Sequence, residues 1–188
     1  MEQIWTIAVI GAGLRGRAIA HAALRGGFRV VLEDVSTVAL SDAREWLKSA
    51  AEALVVDNLA TASSVEAAIR EADMVVEAAA EEIEVKTELF TIFDKFAKPN
   101  AILATSSPSL PVQEMASVTF CADRCIGMSF SGGAASHVIT LTAGPETSQD
   151  TVARCEKMAR RMGQQVIVRH ESTIGNEIPT LRSATVKN

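Results

Sequence analysis

The chain has no long apolar run, no long run of basic residues and only three cysteines. Each shortage removes a class of protein. No apolar stretch approaches the ~18 residues of a membrane-spanning helix, and the N-terminus lacks the charged start of a signal peptide, so no membrane is expected as a partner. A formal net charge of −5 without basic clusters argues against nucleic acid as a partner. Cys121, Cys125 and Cys155 form neither an even disulfide set nor a paired metal motif. Free thiols in a reducing cytosol are therefore expected, with no metal site, and the expected location is cytoplasmic. What the chain does have is apolar material: 48% of its 188 residues are hydrophobic, enough for one domain with a sizeable core.

The rest of the chain is organised around Ile7 to Asp34. The apolar run Ile7-Ala8-Val9-Ile10 stops at Gly11-Ala12-Gly13-Leu14-Arg15-Gly16. Small and apolar residues then recur at helical spacing (Ala18, Ile19, Ala22, Ala23), and after Gly26-Gly27 a second apolar run, Val30-Val31-Leu32, ends at Asp34. This reads as strand, tight glycine turn, helix, strand. In such a turn Gly11 permits the tight bend, Gly13 lets the backbone approach a pyrophosphate, and Gly16 lets the helix pack on the strand. The free N–H groups of Leu14, Arg15 and Gly16 at the helix start face the phosphates, helped by the positive end of the helix dipole. Asp34, 21 residues beyond Gly13, is placed to accept hydrogen bonds from an adenosine ribose. Its charge would repel a 2′-phosphate, which favours NAD over NADP. A parallel-sheet turn whose glycines serve packing alone is the competing reading.

Strand and helix patterns alternate through the rest of the chain. A helix is expected over Ser41 to Val56 with Ser41 as its cap, then a third strand within Asp57 to Ala62. Ser63 or Ser64 caps a short helix from Val65 to Glu71. Asp73 to Glu77 reads as the fourth strand, its continuous apolar centre fitting a parallel sheet covered on both faces. A helix containing Ile83, Leu89, Phe90 and Phe93 is stopped by Pro99-Asn100. Strands at Ala101–Thr105, Cys125–Met128, Val138–Thr142 and Gln165–Arg169 follow, with helices near Val112–Ala116 and from Ser148 to Met162. The fold class expected is α/β, a Rossmann-type, doubly wound and mainly parallel sheet in a single domain. Residues 1–178 are assigned to it and 179–188 to a short C-terminal tail.

The chain resembles the N-terminal NAD-binding domain of the 3-hydroxyacyl-CoA dehydrogenases of fatty acid metabolism. The matching residues are Gly11-Ala12-Gly13-Leu14-Arg15-Gly16-Arg17-Ala18-Ile19-Ala20, the VVLED of the second strand, and the block VVEAAAEEIEVKTELFTIFDKFAKPNAILAT. The DRCIGM strand and Ile174-Gly175-Asn176 resemble the family further on. The resemblance implies NAD as cofactor and places Glu81 and Lys86 on its nicotinamide side. An exposed, charged helix start is the plainer reading of those two.

The same resemblance exposes departures. The family's proton-accepting histidine corresponds to Ser129, and the glutamate that orients it corresponds to Thr140, aligned through Gly144. Ser106 and Gly132 replace asparagines that help to hold substrate, and Pro108 replaces a substrate-binding serine. A serine hydroxyl cannot act unaided as a general base at neutral pH, so no catalytic residue is assigned. His137 is the one rescue candidate, while His21 reads as structural. The helical arm after the second strand is cut down to one helix around Trp46, and the chain stops where a helical second domain is expected. Three functions follow as expectations: an NAD(H)-binding domain impaired in or repurposed from hydride transfer, an active NAD-dependent oxidoreductase using other residues on a different hydroxy substrate, or a non-catalytic interaction domain. A homodimer or a partner chain is expected over the face that the second domain would cover.

Overall fold

The computed structural model describes residues 4–50, 57–130 and 138–171. In chain order the elements are β1 (Thr6–Ile10), α1 (Leu14–Arg25), β2 (Arg29–Glu33), α2 (Thr37–Ala50), β3 (Leu59–Thr61), α3 (Val65–Ile69) and β4 (Met74–Glu77). They continue as α4 (Ile83–Phe96), β5 (Ile102–Thr105), α5 (Val112–Ala116), β6 (Cys125–Phe130), β7 (Val138–Ala143), α6 (Gln149–Arg161) and β8 (Gln165–His170). The strands form one sheet in the order β3-β2-β1-β4-β5-β6-β7-β8. Every pairing is parallel except β6 with β7. This is the expected Rossmann-type sheet.

The central strands read as unbroken apolar runs because both of their faces are buried. Ile7 and Val9 of β1 join a core with Ile19, Leu47 and Met158 from α1, α2 and α6. Ala8 and Ile10 point the other way, into a core with Ile69, Phe90, Phe93 and Met115 from α3, α4 and α5. The chain reverses its direction of travel across the sheet between β1 and β4, which opens a crevice above the C-terminal ends of those strands.

Local capping fixes the helix boundaries. The Ser64 hydroxyl accepts from the Ala67 N–H, and the Ser148 hydroxyl from the Thr151 N–H, both at 3.2 Å. After α6, Gly163 takes φ +76°, with its N–H bonded to Arg160 O and that of Gln164 to Ala159 O. One boundary differs from expectation. Helix α2 starts at Thr37 and not beyond Ser41, because Ser36 Oγ accepts from the Ala39 N–H at 3.2 Å while Ser36's own N–H donates to Asp34. Its expected end at Val56, Gly132, His137, Ile174-Gly175-Asn176 and the 179–188 tail lie outside the described residues. Among the described residues no helix is long and apolar enough to cross a membrane, and no cluster of His, Cys, Asp or Glu side chains could hold a metal ion.

Candidate functional site: a glycine turn and a buried ion network

The three glycines of the turn do three different things. Gly11 takes φ +108°, and a Cβ there would lie 2.6 Å from Ala78 O, so it needs glycine for both conformation and space. A Cβ at Gly16 would lie 1.8 Å from Gly11 O, which shows how closely α1 passes the turn. A Cβ at Gly13 meets nothing within 4 Å, and its φ of −68° is open to any residue. The fold does not require glycine at 13, and the backbone there is open to approach. Gly13 also caps α1 without a side chain, so the first-turn N–H groups stay available to an anion.

Asp34 sits just past β2, where it reaches back to the turn. One carboxylate oxygen accepts from the Ala12 N–H and the other from the Ser36 N–H, both at 2.7 Å. Each oxygen keeps a lone pair for a further donor, the capacity a ribose diol would use. Backbone geometry thus holds the carboxylate at the edge of the crevice.

Across the crevice, at the end of β4, lies a charge network. Lys86 on α4 has no exposed side-chain surface, and its Nζ is 2.8 Å from both Glu77 oxygens, which are equally buried. Thr105 at the end of β5 donates its hydroxyl to Glu77 at 2.8 Å, and the Ala79 N–H donates at 2.6 Å. A buried carboxylate without such partners would be very costly. Glu81 lies above this pair. Its Oε2 meets Arg15 of α1 at 2.9 Å and Lys86 at 3.5 Å. Its Oε1 accepts from the Ser107 hydroxyl and, at 3.0 Å, from that of Ser109. Partial burial pushes the Glu81 carboxyl up, but hydrogen bonds from Ser107, Arg15 and Ser109, with the charge of Lys86, outweigh it and hold the pKa at about 2. Glu81 therefore ties the first turn of α1 to the loop after β5. Of the expected cofactor residues, Gly11, Gly13, Leu14, Arg15, Gly16, Asp34 and Glu81 line or border the crevice, while Lys86 lies beneath Glu81.

Sequence reading missed Glu77, Ser107 and Ser109 as members of this network. The one signal for Glu77 was a carboxylate ending an otherwise apolar buried strand, which demands a partner.

Beside the network is a cavity of about 470 Å³, walled by α1 (Leu14, Ala18), by Trp46 of α2 and by the ends of β5 and β6 (Ser106, Pro108, Ser129, Phe130), with Arg15 and Arg17 on its border. Ser129 and Thr140 are cross-strand partners in the antiparallel β6–β7 ladder. Two hydroxyl side chains thus hold adjacent positions where an acid–base pair is expected from the resemblance. His21 packs edge-on against Trp46, with ring centroids 5.7 Å apart, and His170 is exposed at the end of β8.

A switch-point crevice, a glycine turn with open approach at Gly13 and an acid at the end of β2 define a dinucleotide-binding domain. Comparison with known proteins makes the class specific. The family model "3-hydroxyacyl-CoA dehydrogenase, NAD binding domain" matches residues 6–172, and the chain belongs to that family. Its cofactor is accordingly NAD. A probable 3-hydroxybutyryl-CoA dehydrogenase of Bacillus subtilis is 32% identical over 88% of this chain and 62% of its own length. The human mitochondrial hydroxyacyl-coenzyme A dehydrogenase is 29% identical over 86% of this chain and 57% of its own. The chain thus spans less than two thirds of the length of these relatives. Among solved structures, the (S)-3-hydroxybutyryl-CoA dehydrogenase of Ralstonia eutropha superposes with a TM-score of 0.84 at 27% identity, over 90% of this chain and 65% of that one.

Proposed function

We propose that residues 1–178 form a cytoplasmic NAD(H)-binding domain, impaired in or repurposed from the hydride transfer of its family. The observation that carries this reading is a contrast: the cofactor side is built, while the positions of the proton-transfer pair hold Ser129 and Thr140, side by side on β6 and β7. NAD, when bound, supplies the hydride acceptor. The first-turn N–H groups of α1 hold its diphosphate, Gly13 leaves the room for it, and Asp34 accepts from the adenosine ribose. Glu81, ionised at all working pH values, presents a fixed negative charge on the nicotinamide side. Lys86 contributes through Glu81, since its ammonium is enclosed.

Removal of a proton from a 3-hydroxyl needs a base with a pKa near the working pH, and neither hydroxyl supplies one. Hydride transfer by positioning alone then proceeds slowly. Buried free thiols at Cys121, Cys125 and Cys155 support the cytoplasmic assignment.

Calorimetric titration with NADH tests the reading, with NADPH as the control and Asp34→Ala as the negative variant. Micromolar NADH binding, weaker for NADPH and lost in the variant, supports it; no heat at millimolar NADH refutes it. Oxidation of 3-hydroxybutyryl-CoA at an ordinary enzymatic rate would refute the impairment. A second reading, an oxidoreductase acting on a different hydroxy substrate, is favoured by the cavity beside Ser129. For assembly, the exposed Leu14 and Val38 favour a homodimer or a partner chain over this face, which sedimentation analysis would detect.

A further inference from the structure

Helix α1 begins with a charge of the wrong sign for its place. Its first turn holds no acidic residue but does hold Arg15, so a cation stands at the positive end of the helix dipole, two residues past Gly13. Such a cation needs an anion close by. In this structure the anion is Glu81, which comes from the loop after β4 and meets Arg15 Nη1 at 2.9 Å. The bridge therefore crosses the crevice, from the helix start that would hold the diphosphate to the nicotinamide side.

The two partners depend on each other unequally. Glu81 has three further partners: the Ser107 hydroxyl, that of Ser109 at 3.0 Å, and Lys86 Nζ at 3.5 Å. Arg15 has Glu81 alone among the described residues. Release of Arg15 thus leaves Glu81 neutralised, and it leaves Arg15 a free cation beside the first-turn N–H groups. The two side chains are 38% and 31% exposed, a setting in which an ion pair is weak enough to open readily. A diphosphate at the start of α1 offers Arg15 two negative charges and oxygens matched to its planar fork of donors.

We propose that the Arg15–Glu81 bridge is a strap over the crevice that opens as the dinucleotide enters: Arg15 passes from Glu81 to the diphosphate, and Glu81 stays with Ser107, Ser109 and Lys86. The strap rests on the NAD(H)-binding reading and adds to it an exchange of partners, in which the broken bridge offsets part of each gain from the phosphate contact.

Calorimetric titration with ADP-ribose tests it, because this probe carries the diphosphate but no nicotinamide ring to meet Glu81. Glu81→Gln keeps an oxygen for the two serine hydroxyls and frees Arg15. It should bind ADP-ribose about 1.5- to 5-fold tighter than the native chain, the worth of an exposed ion pair. Arg15→Gln should bind it at least about threefold more weakly, the loss of a charge-assisted bond less the strap. In the Arg15→Gln background, Glu81→Gln should change nothing, since no strap is left to open. Glu81→Asp keeps the charge and shortens the reach, and it too should bind tighter than the native chain. A carboxylate that merely repelled the diphosphate would give the same tightening with or without Arg15, and none in Glu81→Asp. Either of those results overturns the proposal, as does an unchanged affinity in Glu81→Gln or in Arg15→Gln. Thermal melting of each variant without the probe checks that it is folded. Absence of ADP-ribose binding by the native chain refutes the nucleotide reading and the strap together, whereas binding that ignores the bridge refutes the strap alone.

Discussion

The Lys86–Glu77 pair allows a sharp test of how the crevice is supported. Both side chains have no exposed surface, and the ammonium lies 2.8 Å from each carboxylate oxygen. In Lys86→Met the apolar stem is replaced and the charge is lost. Glu77 then remains buried with only the Thr105 hydroxyl and the Ala79 N–H to satisfy it. Breaking a buried pair by removing one partner costs about 3–5 kcal/mol, because the remaining charge is uncompensated. For a chain of this size each kcal/mol shifts the melting temperature by roughly 2–4 °C, so a fall of about 6–20 °C is expected.

Replacing both partners separates charge from packing. In the Lys86→Met, Glu77→Gln double variant no uncompensated charge remains, and most of the lost stability should return. Urea unfolding followed by circular dichroism measures all three differences. If Lys86→Met costs less than about 1 kcal/mol, the carboxylate is not held as a buried ion and the reasoning fails. If the double variant is no more stable than the single one, the loss is one of packing and not of charge.

Two glycine substitutions should have opposite consequences. Gly13→Ala should leave the melting temperature within a few degrees yet weaken NADH binding at least about tenfold, whereas Gly16→Ala should fail to fold stably, because its Cβ falls 1.8 Å from Gly11 O. For Glu81 the folded pKa is depressed to about 2 from an ordinary 4.5. Its contribution to stability is therefore fully present above pH 4.5 and fades as pH falls towards 2, and the stability difference between native protein and Glu81→Gln should follow that course in acid unfolding. Introducing Ser129→His with Thr140→Glu restores an acid–base pair on adjacent strands, and the double variant should reduce NAD with 3-hydroxybutyryl-CoA at least about tenfold faster than the native chain, as stopped-assay absorbance would show.

What was legible in the sequence follows from how local each signal is. The apolar runs of β1, β2, β4 and β5 announce a sheet buried on both faces, and the glycine spacing announces the turn between β1 and α1. Both depend on neighbours in the chain. The start of α2 was misread because Ser41 and Ser36 are equally good caps by type. Only the contact of Ser36 with Asp34, itself tied to Ala12, selects the earlier one. Lys86 was visible as a candidate, but its enclosure was not, because Glu77 reaches it from the end of a strand and Thr105 from the next strand over. Arg161 gave no signal at all. Its guanidinium lies over both Trp5 and Phe28 and donates to the carbonyls of Gly26 and Gly27, joining α6 to the α1–β2 turn across more than a hundred residues. The cavity was likewise invisible, since four separate segments wall it.

The two halves of the site differ in how tightly they are bound to the fold. On the cofactor side, Gly11 and Gly16 are required by close backbone approach, and Glu77 and Lys86 must keep each other neutralised. A substitution at any of them costs folding free energy as well as ligand binding. On the other side, Ser129 stands half-buried in the β6–β7 ladder opposite the buried Thr140, Ser106 is buried beside the cavity, and Pro108 is exposed on its wall. Changes at Ser129 and Pro108 leave the backbone ladder of the sheet intact. Ser129 and Pro108 could thus be exchanged at little cost to folding, whereas the dinucleotide crevice is tied to the demands of the fold. Gly13 breaks this coupling: the fold tolerates a side chain there, so Gly13→Ala separates the demands of packing from those of nucleotide binding.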